Sequence, residues 1–315
     1  MATIMSTRLV RLSAPLAHLR ATAVPTRVFI SRYSTSTEED IIKTQQVPAP
    51  GSGHVRVLQL NRPKARNAIS THLLDTLSKH VDAIAAEGGN GPTRALVVAS
   101  NADAAFCAGA DLKERANMSM AETEDFLLKL RATFQKLASL EIPTISAVSS
   151  VALGGGLELA LCTHLRVFAS SSVVALPETR LAIIPGAGGT YRLPPIIGVN
   201  RARDMILTGR RVTGPESYFI GLCDRLVEVL PEEEAQEGVA RERVLRERVS
   251  SSLWISVKVA LLPSRWRCRL SMLMLWVSVR RMRLMRQSLR LMIGMRRCAP
   301  LSRSASRRSV GGNVL

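Results

Sequence analysis

Three observations predict an α/β fold for this 315-residue chain. Short apolar runs, of the kind buried on both faces of a sheet, alternate with longer stretches of helical spacing. Glycine-rich turns stand at several of the junctions. The hydrophobic and charged shares, 46% and 22%, are those of an ordinary globular chain with a core. Strand, loop and helix therefore repeat along the sequence, the pattern of a layered α/β protein.

In order, residues 1–37 are rich in Arg, Ser and Thr and hold five Arg and no acid. That is the composition of a mitochondrial transit peptide, so the expected location is the mitochondrial matrix. A polar stretch, Glu38–Gly53, precedes His54–Leu60, whose alternation reads as a strand. Asn61-Arg-Pro-Lys64 breaks it. Ser70 then caps a helix through Leu73, Leu74, Leu77 and Val81 that stops at the glycines before Pro92. Ala95–Ala99 is a buried strand, and Phe106–Lys113 is a small-residue loop opening toward a helix over Met120–Leu137. Thr144–Val148 is the next strand and feeds Ala152–Leu161, a glycine turn entering a helix. Leu165–Ala169 is a strand, Leu176–Thr179 a corner and Pro185–Gly189 a second glycine loop. The resulting division is a leader over 1–37, a core over 45–230, a charged helix over 231–250 and an Arg-rich tail over 251–315.

The formal charge of +18 suggests a nucleic-acid or membrane-surface partner until it is divided. The leader holds five bases and the tail fourteen, with no acid in either. Residues 38–250 carry 24 bases against 25 acids. The body is neutral, which removes the main argument for such a partner. The longest apolar run in the chain, Leu270–Val279, is about half the roughly 20 residues a bilayer requires. Five scattered Cys without a CxxC pair argue for free thiols rather than disulfides, and the isolated His and Cys predict no metal site.

Gly154-Gly-Gly156 lies between a buried strand and a helix, where backbone N–H groups can face a phosphate or an oxyanion. Neither a G-x-G-x-x-G fingerprint nor a phosphate loop is present. The loop of Gly186, Gly188 and Gly189 is expected to serve packing. Glu158 stands in an apolar helix start, GGGLELALC, which leaves little room for a solvated face, and Glu178 follows a proline at a corner. A buried carboxylate must be hydrogen-bonded or have its pKa raised. Two glutamates beside a glycine-built donor pair suit the addition of water to an activated double bond.

The strings FCAGADLKERANMS, ALGGGLELAL and LPETRLAIIPGAGGTYRLP, in that order, closely resemble the enoyl-CoA hydratase/isomerase (crotonase) superfamily over about Val55–Val229. FCAGADLKER and ETRLAIIPG look most like its mitochondrial methylglutaconyl-CoA hydratase branch. The resemblance implies a crotonase-like spiral of ββα units with a C-terminal helical region. It matches Glu158 to the water-activating glutamate, Glu178 to the glutamate that exchanges the α-carbon proton, and the N–H groups of Ala110 and Gly155 to the oxyanion hole. Ala65, Arg66, Asn67 and Ala68, with Ala108, Gly109, Asp111, Leu112 and Gly154, match segments around the CoA moiety. It implies an acyl-CoA substrate, no cofactor beyond the CoA the substrate carries, and a homotrimer or hexamer. The implied reaction is hydration of 3-methylglutaconyl-CoA in leucine breakdown; a general short-chain enoyl-CoA hydratase/isomerase of β-oxidation and an RNA-binding protein are the alternatives. A relative in this branch binds RNA through a lysine-rich helix, and the corresponding Thr71–Glu87 has Lys79 alone, so RNA is not expected there. Ser149-Ser150, His164 and Tyr191 depart from the family pattern without removing a matched catalytic group; a helix-end histidine such as His164 is expected to be structural.

The tail departs further. Back-translation of Met292–Ala299, read one nucleotide earlier, can encode Asp-Asp-Arg-Asp-Glu-Ala-Leu-Arg, which resembles the family's own ending. A reading-frame slip near residues 250–260 is the expectation, and a genuine Arg-rich amphipathic tail binding RNA or anionic lipid is the competing one.

Overall fold

The computed structural model describes residues 40–49 and 52–247. The expected leader, the Arg-rich tail and the frame slip lie outside them. The first strand, β1 (Ile42–Pro48), runs antiparallel to β2 (His54–Leu60) with Ile42 opposite Leu60. The polar stretch expected before His54 thus contains a strand. It is a sheet edge with one neighbour and buries only Ile42 and Val47 of its seven residues, which leaves little apolar pattern to read.

The helix α1 (Thr71–Glu87) begins where Ser70 Oγ accepts the Leu73 N–H at 3.2 Å and buries Leu73, Leu74, Leu77, Val81 and Ile84 along one side. Then come β3 (Thr93–Ser100), the short α2 (Leu112–Arg115) and α3 (Met120–Ala138), which starts in a Ser119–Glu122 capping box. Next are β4 (Thr144–Val148), β5 (Val151–Leu153), α4 (Gly155–Leu161), β6 (Leu165–Ala169) and β7 (Val173–Ala175). The chain continues through α5 (Gly189–Arg192), α6 (Pro194–Ile197), α7 (Val199–Thr208), β8 (Val212–Thr213), α8 (Gly214–Phe219) and β9 (Arg225–Val227).

Six strands form one sheet in the order β1-β2-β3-β4-β6-β9, parallel except for β1; β5, β7 and β8 form a second. In β4–β5 and β6–β7 the first strand joins the large sheet and the second joins the small one, each pair leading into a helical segment. This is the ββα repeat that the resemblance implies. Alternate residues of the large sheet feed two cores: Leu96 and Val98 pack with Leu74, Phe106 and Phe134, while Ala95, Val97 and Ala99 pack with Val55, Val57, Ile145 and Val167. Burial on both faces explains the unbroken apolar runs.

His164 joins the start of β6 to β4: its Nδ1 accepts the Thr144 N–H at 3.0 Å and its own backbone N–H donates to Thr144 Oγ1 at 3.0 Å. Burial lowers its pKa, as suits a neutral ring accepting at Nδ1. Among the described residues no helix is long and apolar enough to cross a membrane.

Candidate active site

Three backbone segments lie side by side at one end of the two sheets. Ile69 bridges to Ala110, and Cys107 bridges to Ala152. The Ile69 N–H donates to Gly109 O at 2.7 Å, that of Asp111 to Ile69 O at 3.1 Å, and that of Leu153 to Cys107 O at 3.0 Å. This alternation leaves the Ala110 and Gly155 N–H groups with no acceptor among the described residues. They are neighbours: a Cβ on Gly155 would lie 3.8 Å from Ala110 N. Gly155 also opens α4, where the first N–H groups have no partner inside the helix.

Two glycines make this approach feasible. A Cβ on Gly156 would stand 2.1 Å from Cys107 O. Gly154 has φ 51° and ψ −122°, and a Cβ there would meet Glu178 Oε1 at 2.8 Å. The turn over Ala65–Ala68 packs against the same ladder, with the Ala108 N–H donating to Arg66 O at 3.0 Å.

Of the residues matched to the CoA segments, Ala65, Ala68 and Ala108 are half-buried, while Arg66 and Leu112 are exposed. Asn67 is turned inward. Its Oδ1 accepts the Arg62 N–H at 2.7 Å, and its Nδ2 donates to Ser100 Oγ at 2.8 Å and to the carbonyls of Ala105 and Phe106. Asp111 pairs with Arg62 at 3.1 Å and caps α2. Their side chains hold the wall of the site rather than facing its opening.

Glu158, on the first turn of α4, is 2% exposed, as its apolar surroundings in the sequence imply. Its Oε1 accepts the N–H groups of Ala187 and Gly189, each at 2.8 Å. The second glycine loop, expected to serve packing alone, therefore holds this carboxylate. The donors are main-chain groups and leave no mark on residue identity beyond the glycines. Burial pushes the Glu158 pKa up, while those two donors, Gly188 and Arg192 pull it back.

Glu178 sits in a 3-10 turn, Pro177–Leu181, and is 8% exposed. Its Oε2 has no hydrogen-bond partner among the described residues. Burial raises its pKa to about 7, its own N–H opposes the rise, and the nearby Glu158 charge adds to it. Two acids close enough to interact thus stand beside two unused backbone donors. Glu158 has main-chain donors that favour its charged form, and Glu178 can carry a proton near neutrality. Among the described residues no group of three or more His, Cys, Asp or Glu could hold a metal ion.

The sequence model for enoyl-CoA hydratase/isomerase matches residues 51–253, and the chain belongs to this family of enzymes. It is 58% identical over 224 residues to an enoyl-CoA isomerase/hydratase of Zymoseptoria tritici, covering 70% of this chain and 73% of that one. It is 54% identical over 263 residues to methylglutaconyl-CoA hydratase 1, mitochondrial, of Pyricularia oryzae, covering 75% of each. Among solved structures, the enoyl-CoA hydratase of Bacillus anthracis superposes with a TM-score of 0.59 at 32% identity, over 74% of this chain and 89% of that one.

Proposed function

We propose that this enzyme adds water across the C2=C3 bond of 3-methylglutaconyl-CoA, giving 3-hydroxy-3-methylglutaryl-CoA in mitochondrial leucine breakdown. The observation that carries the hydration chemistry is the unequal donor supply to two buried glutamates: Glu158 has two backbone donors and Glu178 has an unpartnered oxygen. The methylglutaconyl-CoA hydratase of Pyricularia oryzae, 54% identical, supports the acyl group and the location.

In this reading the thioester oxygen accepts from the N–H groups of Ala110 and Gly155. The Glu158 carboxylate takes a proton from water as the water oxygen bonds C3. The C2=C3 electron pair shifts toward the thioester oxygen, where the two donors hold the enolate charge. Glu178 then gives its proton to C2 as the carbonyl re-forms, and transfer of the proton left on Glu158 back to Glu178, directly or through solvent, resets the enzyme so that one water is added overall. Arg66 and the backbone of Ala65, Asn67, Ala68 and Ala108–Leu112 line the CoA side. CoA arrives on the substrate and no other cofactor takes part; the assembly is a trimer or hexamer.

The test is kcat/KM for the purified chain on 3-methylglutaconyl-CoA and crotonyl-CoA. At least a roughly tenfold preference for the branched substrate is expected, about the discrimination one or two well-placed contacts supply. A preference for crotonyl-CoA would instead make the protein a general short-chain hydratase, and turnover of neither would end the hydratase reading.

A further inference from the structure

Glu158 does not hold its place alone. The loop that donates to it, Pro185–Gly189, continues directly into α5, which ends at Arg192. The Arg192 N–H donates to Gly188 O at 2.8 Å, and its Nη2 reaches across to Gln135 Oε1 on α3 at 3.0 Å. Its guanidinium lies 5.0 Å from the Tyr191 ring centroid. Arg192 Nε is buried without a hydrogen-bond partner among the described residues and lies 3.0 Å from where a Gly188 Cβ would be. The adjacent Gly189 borders the acid instead: a Cβ there would lie 3.2 Å from Glu158 Oε1. A cation and a catalytic carboxylate thus flank one two-residue turn.

We propose that Arg192 is the positioning residue for Glu158: it clamps to α3 the glycine loop that holds the carboxylate and sets a fixed positive charge against the other side of that loop. The inference rests on the reading of Glu158 as the base.

The other titratable groups about Glu158 do not do this work. Glu178, on the 3-10 turn, is neutral when protonated and negative only above its pKa of about 7, so it supplies no positive charge. Cys162, just past the end of α4, is a buried thiol raised to about 12 and stays neutral. Arg131 on α3 donates through Nε to Gly186 O at 2.7 Å, supporting the outer end of the loop. Arg192 is the cation set against the Gly188–Gly189 turn that borders Glu158. A guanidinium suits the task because it remains charged at any working pH and can stack on a ring while hydrogen-bonding in its plane.

The experiment is the pH profile of kcat for Arg192→Gln, Arg192→Lys and wild type on the preferred acyl-CoA. Arg192→Gln should lower kcat several-fold more at pH 6 than at pH 8, up to the roughly tenfold limit of an acid limb displaced by about one unit. KM should stay within about twofold, because Arg192 touches none of the proposed CoA segments and so contributes little to uniform substrate binding. Arg192→Lys should bring the acid limb most of the way back. A uniform loss at every pH, or no loss, would overturn the proposal. If Arg192→Gln does not fold, Tyr191→Glu reads the same field from an exposed position: an anion beside the guanidinium should also raise the acid limb, and an unmoved limb counts against the proposal. Glu158→Gln separates the two readings. Full turnover in that variant removes the base itself, whereas lost turnover with an unshifted Arg192→Gln profile removes only Arg192's part.

Discussion

The Pro185–Gly189 loop and the Pro177–Leu181 turn both start at a proline and both reach the same small volume, yet they treat a glutamate in opposite ways. The first turns the N–H groups of Ala187 and Gly189 toward Glu158. The second buries Glu178 against Gly154 and leaves one carboxyl oxygen without a donor. Burial raises the pKa of both acids; hydrogen-bond donors offset the rise for one and barely for the other. A base and an acid can therefore be made from one residue type by the direction in which a few main-chain N–H groups point.

The sharpest way to break this contrast is to remove each charge while keeping its shape. Glu158→Gln and Glu178→Gln should each lower kcat by about 10²–10⁴-fold, the usual range for losing one proton-transfer partner. Steady-state hydration rates check this, and near-wild-type turnover in both would remove the assignment. A stability effect comes next. The folded-state pKa of Glu178 is raised, from 4.5 to about 7. Between those values the folded chain holds a proton that the unfolded chain releases, so stability falls as pH rises through that window. Glu178→Gln does not titrate. It should exceed wild type by up to about 3 kcal/mol at pH 8 and lose that advantage near pH 4, as measured by denaturant melts.

The same rule of donor supply applies at Asn67, whose side chain makes four hydrogen bonds in a fully buried position. Asn67→Ala should cost about 2–3 kcal/mol by leaving the Arg62 N–H and two carbonyls short of partners, a loss read from denaturant melts. The smallest effect belongs to exposed charges. Lys129 and Asp75 join α3 to α1 at 2.5 Å, both substantially exposed, and Lys129→Ala should change stability by less than about 1 kcal/mol and leave kcat alone.

Much of the scaffold was legible because long elements carry a period. The edges of α1, α3, β4 and β6 follow directly from their apolar spacing, and Glu158 announced its burial by standing inside GGGLELALC. β5, β7, β8 and β9 are two or three residues long, too short for any pattern to build. β1 was hidden for a different reason, since an edge strand can be polar on most of its positions. The role of the Pro185–Gly189 loop was the largest omission. Residue identities show that glycines are present, but which N–H groups converge on a carboxylate depends on where distant segments pack.

Isotope-edited infrared titration of the carboxyl groups, in wild type and in the two Gln variants, tests the division of labour most directly. The expected result is a protonated carboxyl band that is strong at pH 6, disappears through a midpoint near pH 7 and is absent from Glu178→Gln. A neutral-pH band that survives in Glu178→Gln and vanishes in Glu158→Gln would reverse the two roles and contradict the account.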